Sequence, residues 1–304
     1  MTNLQNKLAQ GRFVLTAEVT PPVSADRHEL IAKAAPLKGL ADAVNVTDGA
    51  GARAHLSAVT AAAMLLEAGF EPILQLTCRD RNRIALQSDL MGAAAWGVRN
   101  LLVLRGDDPS AGDQPDAKPV FDLDARQLME TARRLRDAGE LPTGRRVSGR
   151  ADFFIGAADS PIDPPPDWAP TGLAVKFAAG AQFAQTQFCM DASVVRRYMA
   201  RLAEHGLAGK LSFLVGVAPL RSAKSARWMK EKLFGTIIPE RIVDRMEQAG
   251  DPVTEGRRIC VEVIAELAAI PEVAGCHIMA PNNDAAVPDV IVEARKSVQR
   301  LAAS

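Results

Sequence analysis

Glu18 stands in the run TAEVTPP, between Ala17 and Val19. A carboxylate inside such an apolar run is costly unless it faces a polar cavity or a partner. A carboxyl held there suits a general acid working near neutral pH, the alternative reading being a buried ion pair. A second grouping closes the run LLVLRGDDP, where Arg105, Gly106, Asp107 and Asp108 place a cation, a hinge and two carboxylates at the tip of an apolar strand. A continuous apolar run reads as a strand buried on both faces, as in a parallel sheet covered by helices. Ligands of such folds bind at the carboxyl edge, where this polar tip would lie.

Other polar residues fall at equivalent places: Thr47, Asp48 and Gly49 after one run, Gln75 and Thr77 within another, then Asp159, Thr186 and Gln187, and finally His277, Asn282 and Asn283. For Asp48, Asp107 and Asp159 taken singly, a helix cap or turn is as good a reading as a functional one.

These residues need a frame that gathers them. Eight β-rich runs recur along the chain, at 13–19, 42–47, 72–77, 100–105, 152–157, 183–188, 211–217 and 275–280. Amphipathic segments lie between them, at 56–69, 125–139 and 192–206, and each ends in a glycine suited to a helix C-cap. Eight β-α units in 304 residues are the arithmetic of a (β/α)8 TIM barrel, read as one catalytic domain over 1–304 with extra helical material at 234–256 before the last strand. Two long loops, after strands four and five, should rim the mouth.

Composition narrows the partners. Lys plus Arg equals Asp plus Glu at 36 each, so charge asks for neither nucleic acid nor an anionic membrane. The basic run RRLRDAGELPTGRRVSGR carries no aromatics and reads as a solvated helix face. The start MTNLQNKLAQGRF lacks a secretory pattern and no segment suits a bilayer, so a soluble cytoplasmic protein acting on a small molecule is expected. Four scattered cysteines and four scattered histidines give neither a disulfide framework nor zinc spacing, and no metal is expected. DGAGARAH lacks the third glycine of a dinucleotide fingerprint, although its backbone N–H groups would suit a phosphate cradle before the next helix. A homo-oligomer is left open.

The succession TAEVTPP, VNVTDGAGAR, LQLTCRDRNR, LLVLRGDDP and KFAAGAQFAQTQFCMD, with VGVAPL and GCHIMAPN beyond it, resembles the methylenetetrahydrofolate reductase family. The resemblance implies a (β/α)8 barrel that binds FAD, accepts hydride from NADH or NADPH, and interconverts methylenetetrahydrofolate and methyltetrahydrofolate. By the same resemblance Glu18 is the catalytic acid acting at folate N10, Asp107 the aspartate beside flavin and pterin, and Gln187 a pterin ligand. Thr47, Gln75, Arg105, Gly106, Asp107, Asp159 and Lys176 fall at cofactor-contact positions, Lys176 as the phosphate partner.

The chain also departs from the family pattern. Gln75 replaces a histidine, GAADSPIDPPPDW replaces a stretch rich in Tyr, His and Glu, Ala223 stands where an aromatic is usual, and IMAPNN replaces an aromatic cluster. These changes weaken the expected grip on FAD and bring flavin-free hydride transfer, or oxidation of methyltetrahydrofolate, into view. A pterin-binding barrel methyltransferase and a non-catalytic barrel subunit are the readings from other classes.

Overall fold

The computed structural model describes residues 1–303, with side chains through Leu301. Eight strands, β1 (Val14–Val19), β2 (Ala43–Val46), β3 (Pro72–Thr77), β4 (Asn100–Leu104), β5 (Phe154–Asp159), β6 (Phe183–Phe188), β7 (Ser212–Val217) and β8 (Val273–Ile278), pair in chain order and close into a barrel. Every pairing is parallel, including the closing one, in which Thr16 stands beside His277. Helices α1 (Asn3–Ala9), α2 (Arg27–Ala34), α3 (Ala58–Glu67), α4 (Arg83–Trp96), α5 (Ala125–Ala138), α6 (Thr171–Ala179) and α7 (Ala192–Glu204) precede β7. They are followed by α8 (Ala223–Lys232), α9 (Glu240–Glu247), α10 (Pro252–Ala268) and α11 (Val287–Ala303). The extra helical material expected before the last strand is α9 and the start of α10.

Local sequence explains where the helices stop and start. Asn82, Asp124 and Asp251 cap the N-termini of α4, α5 and α10 with side-chain oxygens, and Asp124 forms a reciprocal box with Gln127. The outer core lies between strands and helices; on α7 it takes Val194, Val195, Tyr198, Met199 and Leu202.

Side chains alternate along each strand, so every second residue points into the barrel. The floor is apolar: Val14, Ala43, Ile73, Leu102, Phe154, Phe183 and Leu214 pack with Leu4 of α1, a helix that the periodicity did not announce. Thr2 caps α1, and the Asn3 and Leu4 N–H groups donate to the Glu71 carboxylate, holding the helix across the bottom. Phe183 fits because Gly156 leaves it room: a Cβ there would stand 2.3 Å from the ring. Phe183 stacks on Phe154 at 4.8 Å, and truncating so buried a ring costs about 3–5 kcal/mol.

Two strands sit two residues away from their expected places. β5 begins at Phe154, whose Cα pairs with Asn100, and β8 begins at Val273, which pairs with Phe213. Both shifts follow from neighbouring strands, which fix register in ways that a single run of apolar residues does not show. Among the described residues, no helix is long and apolar enough to cross a membrane.

Candidate active site

Above the apolar floor the interior turns polar. Thr16, Asn45, Gln185 and His277 are all buried and joined to one another. Asn45 Nδ2 donates to Gln185 Oε1 at 2.6 Å, and Gln185 Nε2 donates to Asn45 Oδ1 at 3.1 Å and to Thr16 Oγ1 at 3.3 Å. Thr16 Oγ1 lies 3.0 Å from His277 Nδ1. Buried amides and hydroxyls are tolerated only when paired in this way.

Glu18 stands two residues beyond Thr16, on the same inward face, with its side chain 27% exposed. Gln75 Nε2 donates to Glu18 Oε2 at 3.3 Å, and His277 Nε2 stands 3.8 Å from the same oxygen. Gln75, expected at the cofactor, is thus tied to the Glu18 carboxylate. Glu18 therefore has a buried polar base and a face open to the mouth, which is what an acid delivering a proton to a bound molecule requires.

The next part of the rim is built by β2, β3 and β4. Asp48 Oδ2 accepts from the Thr77 N–H at 2.8 Å and from Thr77 Oγ1 at 2.9 Å, and it also pairs with Arg81. Asp48 is a brace between strand ends. Thr47 Oγ1 is buried with no hydrogen-bond partner. Arg79, almost fully buried, donates to the Gly49 carbonyl at 3.2 Å and pairs with Asp80. Gly106 has φ +89°, and a Cβ there would lie 3.0 Å from Arg79 Cβ and 3.1 Å from Thr77 Cβ. That turn sends Arg105 and Asp107 outward, both exposed. The Arg105 guanidinium rests 4.4 Å from the centre of the Phe121 ring, on the loop after β4.

On the far side of the barrel, Gln187 Oε1 accepts from the Phe188 N–H at 3.0 Å, while its Nε2 donates to the Phe234 carbonyl at 3.2 Å. Thr186 Oγ1 accepts from the Gly216 N–H at 2.9 Å, so this hydroxyl serves the irregular pairing of β6 with β7. Lys176 Nζ donates to the Ala158 carbonyl at 2.6 Å. Asp159 accepts from Tyr198 Oη at 2.6 Å, a contact with α7 on the outside of the sheet. Burial raises the Asp159 pKa, against the opposing pull of the Tyr198 hydroxyl and the Lys176 charge. Burial likewise pushes the Cys78 thiol up to about 11 and Cys189 to about 12, which makes both poor nucleophiles.

The structure thus brings Glu18, Gln75, Thr47, Arg105, Gly106, Asp107 and Gln187 to one end of the barrel, at the carboxyl ends of their strands. Asp159 shares that end but points outward to α7. Thr16, Asn45 and Gln185 were missed. Each lies two residues before a residue that was singled out (Glu18, Thr47 and Gln187), so the two-residue period of a strand could have found them. Among the described residues, no group of three or more His, Cys, Asp or Glu could hold a metal ion.

Together these features define a (β/α)8 barrel with a half-buried carboxyl group at the carboxyl end of its strands. The chain belongs to the methylenetetrahydrofolate reductase family, whose model matches residues 3–295. It is 26% identical over 245 residues to a probable methylenetetrahydrofolate reductase (NADPH) of Caenorhabditis elegans, covering 77% of this chain and 34% of the worm protein. It is 28% identical over 227 residues to a 5,10-methylenetetrahydrofolate reductase of Pectobacterium carotovorum, covering 71% of this chain and 67% of that protein. The chain therefore spans about a third of the worm relative. Among solved structures, an uncharacterised protein from Clostridium thermocellum that binds two copies of 5-methyl-5,6,7,8-tetrahydrofolic acid superposes with a TM-score of 0.65 at 13% identity, over 97% of this chain and 99% of that one. At that identity the likeness concerns the fold.

Proposed function

We propose that this barrel transfers hydride between NADH or NADPH and a tetrahydrofolate, interconverting methylenetetrahydrofolate and methyltetrahydrofolate, with FAD as carrier. The observation that carries the reading is Glu18, an inward carboxyl at the mouth of a closed barrel, with Asp107 and Gln187 at the same end. Family membership and the relatives' names support the same reaction.

The residues present fit a flavin. Thr47 Oγ1 is a buried hydroxyl lacking a partner, a group that ordinarily has one. Arg105 is an exposed cation at a strand end, and Lys176 uses one of its three donors on Ala158, leaving others for a phosphate. Thr47, Arg105, the Gly106 backbone and Lys176 would hold the group, which when bound supplies two-electron hydride transfer.

The chain's own residues do the rest. Glu18 gives a proton to folate N10, which opens the five-membered ring and leaves the one-carbon unit electron-poor and ready for hydride. Gln187 orients the pterin through its amide, and the amide's tie to Phe234 limits its rotamers. Asp107 puts negative charge at the rim, which opposes build-up of further negative charge beside it and favours departure of hydride.

The test is direct. Purified protein, with and without added FAD, is assayed for NADH or NADPH oxidation dependent on methylenetetrahydrofolate. Turnover that needs FAD supports the full reading, and turnover without any flavin assigns direct transfer from the nicotinamide. No folate-dependent oxidation under either condition, in either direction, contradicts it.

A further inference from the structure

We infer that Arg79 is a positioning residue for the proposed hydride transfer. Its guanidinium, buried between the loop after β2 and the turn after β4, fixes both segments and offsets part of the charge that Asp107 brings to the rim. The inference rests on the flavin and Asp107 roles proposed above and adds a cation to them.

Arg79 lies two residues past the end of β3 and is 3% exposed. An arginine so enclosed needs partners. Nε and Nη2 take the two Asp80 oxygens at 2.7 and 2.8 Å, and Nη2 also donates to the Gly49 carbonyl at 3.2 Å. A Cβ on Gly49 would stand 2.3 Å from Nη2, so the loop after β2 closes on the guanidinium at a distance that a larger residue forbids. On the other side, a Cβ on Gly106 would stand 3.0 Å from Arg79 Cβ. The Arg79 carbonyl accepts the Val120 N–H at 2.7 Å, which brings back the long loop after β4 one residue before Phe121, the ring under Arg105. One residue thus touches the segment that follows Thr47, the turn that carries Arg105, Gly106 and Asp107, and the segment that carries Phe121.

Charge gives Arg79 a second task. The Asp80 hydrogen bonds hold its guanidinium above the ordinary pKa, against its burial, and the Asp48 and Asp107 charges act in the same direction. A guanidinium stays cationic across the working pH range. The ion pair is lopsided: the cation is enclosed, whereas the Asp80 side chain is 51% exposed and screened by solvent. The Asp48 carboxylate is already engaged by Arg81. Part of the buried positive charge is therefore left to act on the Gly106 turn and on Asp107. Negative charge at the rim favours departure of hydride from a donor beside it, and a cation behind that rim restrains the effect. A carrier that must accept hydride from a nicotinamide before giving it to folate needs this balance.

The experiment reads the midpoint potential of FAD bound to the purified full chain, by equilibration with a redox dye. Arg79→Met should lower the potential. Asp80→Asn, which removes the half-exposed partner and leaves the buried cation, should raise it. Each shift should change the ratio of reduced to oxidised carrier at a fixed poise by about ten-fold, roughly 30 mV for a two-electron couple. Arg79→Lys keeps the charge while giving up the planar fork, and should stay close to the native potential. In rapid mixing, Arg79→Met should slow flavin reduction by NADH and quicken the folate half-reaction, a split that a merely loosened loop does not produce. Native potentials in both Arg79→Met and Asp80→Asn overturn the inference, and so do shifts of the same sign in the two variants. Protein that takes up no FAD overturns it as well. Should Arg79→Met fail to fold, Asp80→Asn decides alone: a raised potential supports the inference and an unchanged one overturns it. Opposite shifts in a protein that never turns over methylenetetrahydrofolate would support the charge role of Arg79 and contradict the proposed reaction.

Discussion

Gln75 Nε2 on β3 stands 3.3 Å from Glu18 Oε2 on β1, although β2 lies between those strands in the sheet. Side chains two strands apart meet only when both point into a closed and strongly curved barrel. The contact explains how a carboxylate is tolerated in the middle of TAEVTPP: its cost is offset by a donor from β3. It also separates Glu18 from Asp48 and Asp159, whose carboxylates are engaged by Thr77 with Arg81 and by Tyr198.

Asp107 has no brace of that kind, and its exposed carboxylate is available to a bound group. Asp107→Asn keeps the shape and removes the charge. The folate half-reaction should slow by about ten-fold or more, a shift of roughly 1.4 kcal/mol in the barrier, with thermal stability unchanged. Rapid-mixing measurement of each half-reaction checks this, and an unaltered folate rate would remove Asp107 from the chemistry.

Gly106 is required by its backbone. With φ +89° and with Arg79 Cβ and Thr77 Cβ within 3.1 Å of any added Cβ, Gly106→Ala combines strain and crowding. A cost of about 1–3 kcal/mol is expected, together with weaker flavin retention, because Arg105 and Asp107 leave the sheet through this turn. Chemical denaturation and flavin content per chain report the two effects separately.

Asp159 and Asp42 should give opposite pH dependences. The folded-state pKa of Asp159 is raised by burial, so its contribution is greatest at acid pH and is lost as pH climbs from the ordinary carboxyl range through the raised value. Tyr198→Phe removes the 2.6 Å bond that holds this pKa down. It should steepen that loss and cost about 1–3 kcal/mol at neutral pH, whereas Asp159→Asn should abolish the slope. Melting curves across pH 4–8 (a span of roughly the carboxyl-to-neutral range) distinguish the two variants.

Asp42, at the floor, behaves the other way. Burial pulls its pKa up, but Lys7, the Leu15 N–H and Arg295 together pull it down further. Its stabilisation is present above the ordinary carboxyl range and disappears as pH falls through the lowered value. Asp42→Ala leaves Lys7 and Arg295 without their buried partner and should cost about 3–5 kcal/mol at neutral pH. The variant should also show a shallower acid-side decline, which thermal melts between about pH 5 and pH 2 would register.

Much of this architecture could be read from residue order. Continuous apolar runs such as LLVL mark strands buried on both faces, and their even spacing between amphipathic segments foretold the barrel. The rim residues were legible for the same reason, since a polar residue ending such a run lies at the carboxyl edge. Asp159 shows the limit: the register that makes β5 start at Phe154 turns its carboxylate outward to Tyr198, a partner 39 residues away. The plug α1 was illegible because its one fully buried side chain, Leu4, makes no helical period. Gln185 and Asn45 were passed over because what marks them is mutual pairing across the barrel, and no local pattern encodes that.

Glu18 carries the proposed chemistry. Glu18→Gln removes the transferable proton while keeping size and polarity, so the direct measurement is a comparison of both half-reactions in this variant and the wild-type protein. Reduction of bound flavin by NADH at the native rate, with methylenetetrahydrofolate turnover abolished, is the expected result. Native folate turnover in Glu18→Gln would contradict the assignment of this carboxyl as the acid.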